Sequence, residues 1–142
     1  LDREEAVKWY KASMAQKYFQ AFTNMGYCYQ YGEGVEKNME KAITMYHAGA
    51  ELGSTDAFYN LGICYSNGYG VKVDMEQAIK FFMLAAQNGR SAAMFMLGQI
   101  YENGDGVEED LYQAFAFYKA AAERGNQDAI KTLKKRKFNK FM

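Results

Sequence analysis

Apolar residues recur along the chain at helical spacing rather than in alternation. Ala21, Met25, Cys28 and Tyr29 form one stripe. Ala42, Met45, Tyr46, Gly49 and Ala50 form another, the i, i+3, i+4, i+7, i+8 face of an amphipathic helix. Between them the chain meets Gly32 and Gly34, and glycine is the residue that leaves a helix through positive φ at least cost. A second helix is then announced by a short polar side chain able to cap it: Asn38, Asp74 or Asp110. Asp74 with Gln77 and Asp110 with Gln113 have capping-box spacing, and Asp2 with Glu5 fits the same role. The pattern predicts pairs of antiparallel helices joined by glycine corners, about eight helices in all.

The pairs repeat. At a 36-residue offset three full copies run 21–56, 57–92 and 93–128, with a partial copy at 1–20 and another from 129 to 142. Ala21, Ala57 and Ala93 open the copies. Met25, Leu61 and Leu97 are each followed by glycine and, three residues after that glycine, by Tyr29, Tyr65 and Tyr101. Ala42, Ala78 and Ala114 precede Tyr46, Phe82 and Tyr118, and Gly53, Gly89 and Gly125 close each copy. The small residues let helices approach, and the aromatics fill the space between adjacent pairs. A single pair cannot bury both of its faces, whereas stacked copies can. The expected fold is all-α, a right-handed α/α solenoid (superhelix) of 36-residue helix-turn-helix repeats forming one domain over 1–142.

The corner "NGDGVEEDL" (103–111) has the look of a ligand loop, and its repeats decide against that. Counted as an EF-hand from Asn103, the fifth position is Val107 and the twelfth Ala114, so no calcium cage closes. A dinucleotide turn would need a third glycine after a strand, and the preceding "FMLGQIYE" is helical in character. In "YGEGVEKNM" and "NGYGVKVDM" the Gly-x-Gly-Val recurs while the acids do not. This is a corner, with Asp110 as a cap and Glu108 and Glu109 near a positive helix end.

Composition narrows the class. Hydrophobic residues at 49% and aromatics at 16% exclude a disordered chain, and 13 glycines with no proline make every break a glycine break. Acids and bases balance at 17 each, yet Lys131, Lys134, Lys135, Arg136, Lys137 and Lys140 crowd the last twelve residues without an acid. The remaining 130 residues hold 11 bases against 17 acids, a net of −6. An acidic body argues against a nucleic-acid protein. The basic tail reads as a solvated last helix, favourable at its negative end, ahead of contact with an acidic partner or anionic lipid. No apolar run reaches the roughly 18 residues of a membrane span, and no signal peptide is seen, so the expectation is a soluble chain of unassigned compartment. Its start at Leu1 and the half-copy there point to a processed or excised segment with further repeats beside it.

"AFYNLGICYSNGYGVKVDMEQAIKFFMLAAQNG" resembles the Sel-1-like repeat, a relative of the tetratricopeptide repeat with a longer corner. Leu-Gly-x-x-Tyr, Gly-x-Gly-Val and Asp-x-x-x-Ala recur together across nearly the whole chain. The ends depart from the pattern: Met14 and Lys17 stand where alanine and glycine are usual, and the last helix runs off as "KTLKKRKFNKFM". The resemblance implies an adaptor for protein complexes, of the kind found in signalling, membrane-protein quality control and bacterium–host contacts. Some secreted bacterial members carry a cysteine pair in each repeat and have been associated with β-lactam binding; this chain lacks that pairing.

No catalytic or metal constellation emerges. Cys28 and Cys64 share one core position in successive copies and read as small buried hydrophobes, too far apart for a bridge. His47 is the only histidine, its counterparts are Lys11, Met83 and Lys119, and it is expected to face solvent, leaving no triad and no metal site. The expectation is no enzyme and no cofactor. The informative residues are those that vary. On the first helix of each copy, residues off the buried stripe are expected to line a concave wall. The first copy offers Thr23, Asn24, Tyr27, Gln30 and Tyr31, and the second Tyr59, Asn60, Ile63, Ser66 and Asn67. The third offers Phe95, Met96, Gln99, Glu102 and Asn103. Packing on neighbouring helices would explain the large ones equally well. As a binding surface, Asn24, Tyr27, Tyr31, Tyr59, Asn60, Ile63, Phe95, Met96, Gln99 and Asn103 make an apolar, amide-rich wall for a partner peptide or protein, with amides able to clamp a backbone. The alternative is a small-ligand, carbohydrate-binding or hydrolytic module using the same aromatic wall.

Overall fold

A computed structural model describes residues 2–14 and 18–142, the side chains of 13 and 14 excepted. Leu1 and Lys17 lie outside the described residues, as does the side chain of Met14. Among the described residues eight α-helices follow in order: α1 (Arg3–Met14), α2 (Phe19–Tyr31), α3 (Met39–Glu51), α4 (Thr55–Asn67), α5 (Met75–Gln87), α6 (Ser91–Asn103), α7 (Leu111–Glu123) and α8 (Gln127–Leu133). A 3-10 segment, Arg136–Phe141, ends the chain, and no strand occurs among the described residues. The fold is an α-solenoid of helix-turn-helix repeats.

The glycine corners end helices as expected. Gly32, Gly68 and Gly104 hold φ of 68°, 74° and 68° and return their backbone N–H to Cys28, Cys64 and Ile100. The helices that follow begin at side-chain caps. Asn38 accepts from the Lys41 N–H at 3.0 Å, Asp110 from Gln113 at 3.1 Å, and Asp2 from Glu5 at 2.8 Å. Asp74 precedes α5 at the same repeat position. Ser54 and Asn126 cap α4 and α8 in the same way, accepting from Ala57 and Ala129.

The chain forms two compact units, Leu1–Asp74 and Met75–Met142. In the first, α2 packs chiefly on α3, with α1 on α2 and α3 on α4. Ala42, Tyr46, Ala57, Leu61 and Cys64 are fully buried. Ile43 is buried too, while Met45 and Ala50 of the expected stripe are half-buried, so the α3 face is turned slightly from the sequence reading. In the second unit α6 packs chiefly on α7, flanked by α5 and α8, around Met94, Ala114, Tyr118, Ala121, Ala129 and Phe138.

The tail differs from a solvated last helix. α8 stops at Leu133, and the chain turns into the 3-10 segment, which drives Phe138 into the core with no exposed area. The Phe138 ring meets Tyr118 edge-on at 5.5 Å and lies 6.5 Å from Phe115. Phe138 and Phe141 are the only apolar side chains between Leu133 and Met142. A helix continued through the four basic residues at 134–137 would give up their burial, and the break allows it.

Candidate partner-binding surface

The surface of the first helices is set by what each repeat keeps inside. In α2 the stripe Ala21, Met25 and Cys28 faces the core and Tyr29 and Asn24 are half-buried, which leaves Tyr27 and Tyr31 turned outward. Tyr27 and Tyr31, one turn apart, are 48% and 58% exposed, and their rings lie 4.6 Å apart at 49°. Asn24 and Tyr27 join Tyr10, Arg3 and Glu33 around a recess of about 210 Å³. Beyond Tyr31 a second recess of about 340 Å³ continues with Gln30, Lys37, Met39 and the exposed Tyr69. The first unit thus carries a line of rings and amides along α2.

Elsewhere the expected wall is less free. Tyr59, Asn60 and Ile63 on α4 are half-buried, and so are Phe95, Met96 and Gln99 on α6; Asn103 is exposed. Phe95 lies 5.5 Å from the Tyr118 ring and packs on the core of the second unit. Thr23 is not a wall residue. It is 4% exposed, and its hydroxyl donates to the Phe19 carbonyl at 3.0 Å and shares a hydrogen bond with the Ser54 hydroxyl at 2.8 Å. The small Gly49 beside it draws this edge of α2 inward.

Gln30 and Glu102 have a structural duty as well. The Tyr46 hydroxyl donates to Gln30 Oε1 at 2.5 Å, and that of Tyr118 to Glu102 Oε1 at 2.6 Å. Where the second-helix aromatic is Phe82, with no hydroxyl, the matching first-helix residue is Ser66, bonded to the carbonyl of Ile63. That covariation between positions 30, 66 and 102 and positions 46, 82 and 118 was the readable signal for the pairing. Burial pushes the Tyr118 phenol far up, and the hydrogen bond to Glu102 pushes it further. The Glu102 carboxyl is raised by burial. That effect is outweighed by the Tyr118 hydroxyl and by Lys137, 2.9 Å away, so it titrates below the usual range.

His47 does not face solvent. It is half-buried, and its Nε2 meets the Tyr65 hydroxyl at 2.9 Å, a side-chain contact no single repeat could reveal. Cys28 and Cys64 are free and buried, and burial pushes the Cys64 thiol up to about 11, away from a reactive thiolate. Among the described residues no three His, Cys, Asp or Glu side chains converge as metal ligands. Among the described residues, too, no helix is long and apolar enough to cross a membrane.

The Sel1 repeat family model matches residues 2–18, 20–54, 55–89 and 91–126. The structure is similar to that of a Sel1 repeat protein from Oxalobacter formigenes, with a TM-score of 0.90 and 36% identity over 93% of this chain and 54% of that one. It is similar also to c5321, a protective antigen present in uropathogenic Escherichia coli strains and displaying an SLR fold. That match has a TM-score of 0.90 and 37% identity over 93% of this chain and 28% of that one. Helicobacter pylori cysteine rich protein B shares the fold at a TM-score of 0.71 and 22% identity, over 91% and 92% of the two chains. A comparison with curated proteins gave no match. The chain therefore spans about half the length of the first relative and under a third of the second. With its glycine corners, capped second helices and repeat matches along most of its length, this chain belongs to the Sel1 repeat family.

Proposed function

We propose that this chain is a non-catalytic interaction scaffold that holds a segment of a partner protein against the outward residues of its first helices. Sel1 repeat proteins are generally protein-interaction scaffolds, and non-catalytic ones. The observation that carries the finer reading is the exposed ring pair Tyr27–Tyr31, with Asn24 on one side and Tyr69 on the other. Large apolar rings held in water are costly unless a partner covers them, and rigid tyrosines give contact area at small entropic cost. Asn24 can engage a peptide backbone with donor and acceptor together. Tyr59, Asn60 and Ile63 on α4, and Met96, Gln99 and Asn103 on α6, are proposed as the matching positions of the later repeats. Phe95 belongs with them only through the edge it leaves uncovered.

The test is capture from native lysate by the wild-type chain and by a Tyr27→Ala, Tyr31→Ala version. A partner retained by the first and lost by the second supports the reading. Equal capture by both overturns it. Stabilisation by small molecules with no protein captured would favour a small-ligand module instead.

A further inference from the structure

Six bases, Lys131, Lys134, Lys135, Arg136, Lys137 and Lys140, stand together after Asp128, the last acid of the chain. All six side chains are exposed. Lys137 pairs with Glu102 at 2.9 Å, and Lys135 acts on the same carboxylate. Lys131, Lys134, Arg136 and Lys140 form no ion pair among the described residues.

The repeat supplies an internal control. At the positions matching these six, the three full copies carry glycine, cysteine, isoleucine, glutamine, threonine or an aromatic residue, and never a base. The repeat fold therefore does not call for them. The structure also holds them on a fixed frame. Residues three apart share a face of a 3-10 helix, and here Phe138 and Phe141 turn inward. Phe138 meets Tyr118 edge-on, and Phe141 stacks on Phe115 at 5.2 Å. That leaves Arg136, Lys137, Asn139 and Lys140 outward, followed by Met142 at 73% exposed. The Lys140 amine lies 5.2 Å from the centre of the Phe141 ring, so a base and an apolar edge meet at one spot.

From this we infer that the basic face of the second unit docks on the surface of an anionic lipid bilayer. The bases would lie among the headgroups and Met142 at the acyl boundary. Clusters of about four to eight bases suffice to hold a protein at such a surface, and an apolar tip adds the second attraction that stable attachment needs. Composition favours a bilayer over an acidic protein. Five of the six bases are lysine, which is depleted at protein interfaces, whereas the forked arginine is the residue of built carboxylate sites. A nucleic acid would ask for bases along many phosphates and for rings free to stack. Phe138 is buried, and the 130 residues before the tail hold 11 bases against 17 acids. A bilayer needs this one segment only, and salt screens acids more than about 8 Å away. The inference uses none of the residues on which the scaffold reading stands.

Co-sedimentation of the full chain with vesicles is the test. Binding is expected to phosphatidylcholine vesicles containing about a third phosphatidylserine, and to weaken as salt rises. None is expected to phosphatidylcholine alone. Lys134→Gln, Lys135→Gln and Arg136→Gln together are expected to weaken binding by about tenfold or more. Circular dichroism should stay the same, because all three side chains are exposed. If that variant unfolds, Lys131→Gln with Lys140→Gln carries the comparison. No binding to phosphatidylserine vesicles, equal binding by the variant, or equal binding to phosphatidylcholine alone overturns the inference. Capture of polyglutamate or duplex DNA without capture of vesicles overturns it as well, in favour of an acidic partner or a nucleic acid. Partner capture that depends on Tyr27 and Tyr31 would leave the scaffold reading standing in each of these cases.

Discussion

Gly26 and Gly98 sit inside helices, where glycine is unfavourable, because a tyrosine ring lies where their side chain would be. A Cβ at Gly98 would stand 2.5 Å from the Tyr118 ring, and one at Gly26 2.6 Å from Tyr46. These rings are buried parts of the core, so they have little room to yield. Gly98→Ala is therefore expected to destabilise the second unit by about 1–3 kcal/mol, read as a lower thermal midpoint. The same ring anchors a second prediction. Glu102 has a lowered carboxyl pKa against an unfolded value of about 4.3. Its stabilising contribution is present in full above the unfolded value and is lost as pH falls through the folded one. Glu102→Gln, which keeps an acceptor for the Tyr118 hydroxyl, should flatten that part of the stability–pH curve. An unchanged acid limb would contradict this account. The glycines were legible as part of the repeat, but their reason was not: a small residue at 98 is explained only by a ring twenty positions away.

At the scale of elements, the ends of helices carry most of what is particular to this chain. Caps at Asn38, Asp110 and Asp2 could be read from spacing, since capping is a local contest between a side chain and the first free N–H groups. At Tyr18 and Arg90 the chain offers no such side chain, and α2 and α6 begin without a side-chain cap. Restoring a cap with Tyr18→Ser is expected to raise stability by roughly 1 kcal/mol, seen in the midpoint of chemical denaturation. A fall instead would show that Tyr18 is needed for packing. The 3-10 segment is the counterpart at the other end. It closes the core of the second unit with Phe138, and Lys137 ties it to Glu102. Phe138→Ala is expected to cost about 3–5 kcal/mol and to lower the thermal midpoint. Sequence reasoning expected a solvated last helix here; the bases are exposed, and what it missed is the break after Leu133 that lets Phe138 return to the core.

For the molecule as a whole, the binding reading separates from the folding reading in one comparison. Tyr27 and Tyr31 are exposed, so Tyr27→Ala with Tyr31→Ala should change stability by no more than about 0.5 kcal/mol while removing partner capture. A pair built on Tyr59 and Phe95 would confuse the two, because Phe95 packs on Tyr118 and its loss disturbs the core. A large drop in melting temperature for the Tyr27, Tyr31 version would show that the ring pair is structural.

The repeat by itself determined the fold: a 36-residue period with helical stripes, glycine corners and cap residues has one compact solution, in which each pair buries its faces on its neighbours. It determined as well which positions were free to vary, and so where a binding surface had to be sought. Tertiary structure alone decided which variable residues remain in water. Thr23 lies over Gly49 and is buried, Gln30 and Glu102 serve inward tyrosines, and His47 meets Tyr65, although all stand off the buried stripe in sequence. The physical reason is that helical period fixes the direction in which a side chain leaves its own helix, while burial depends on what the adjacent helix places there.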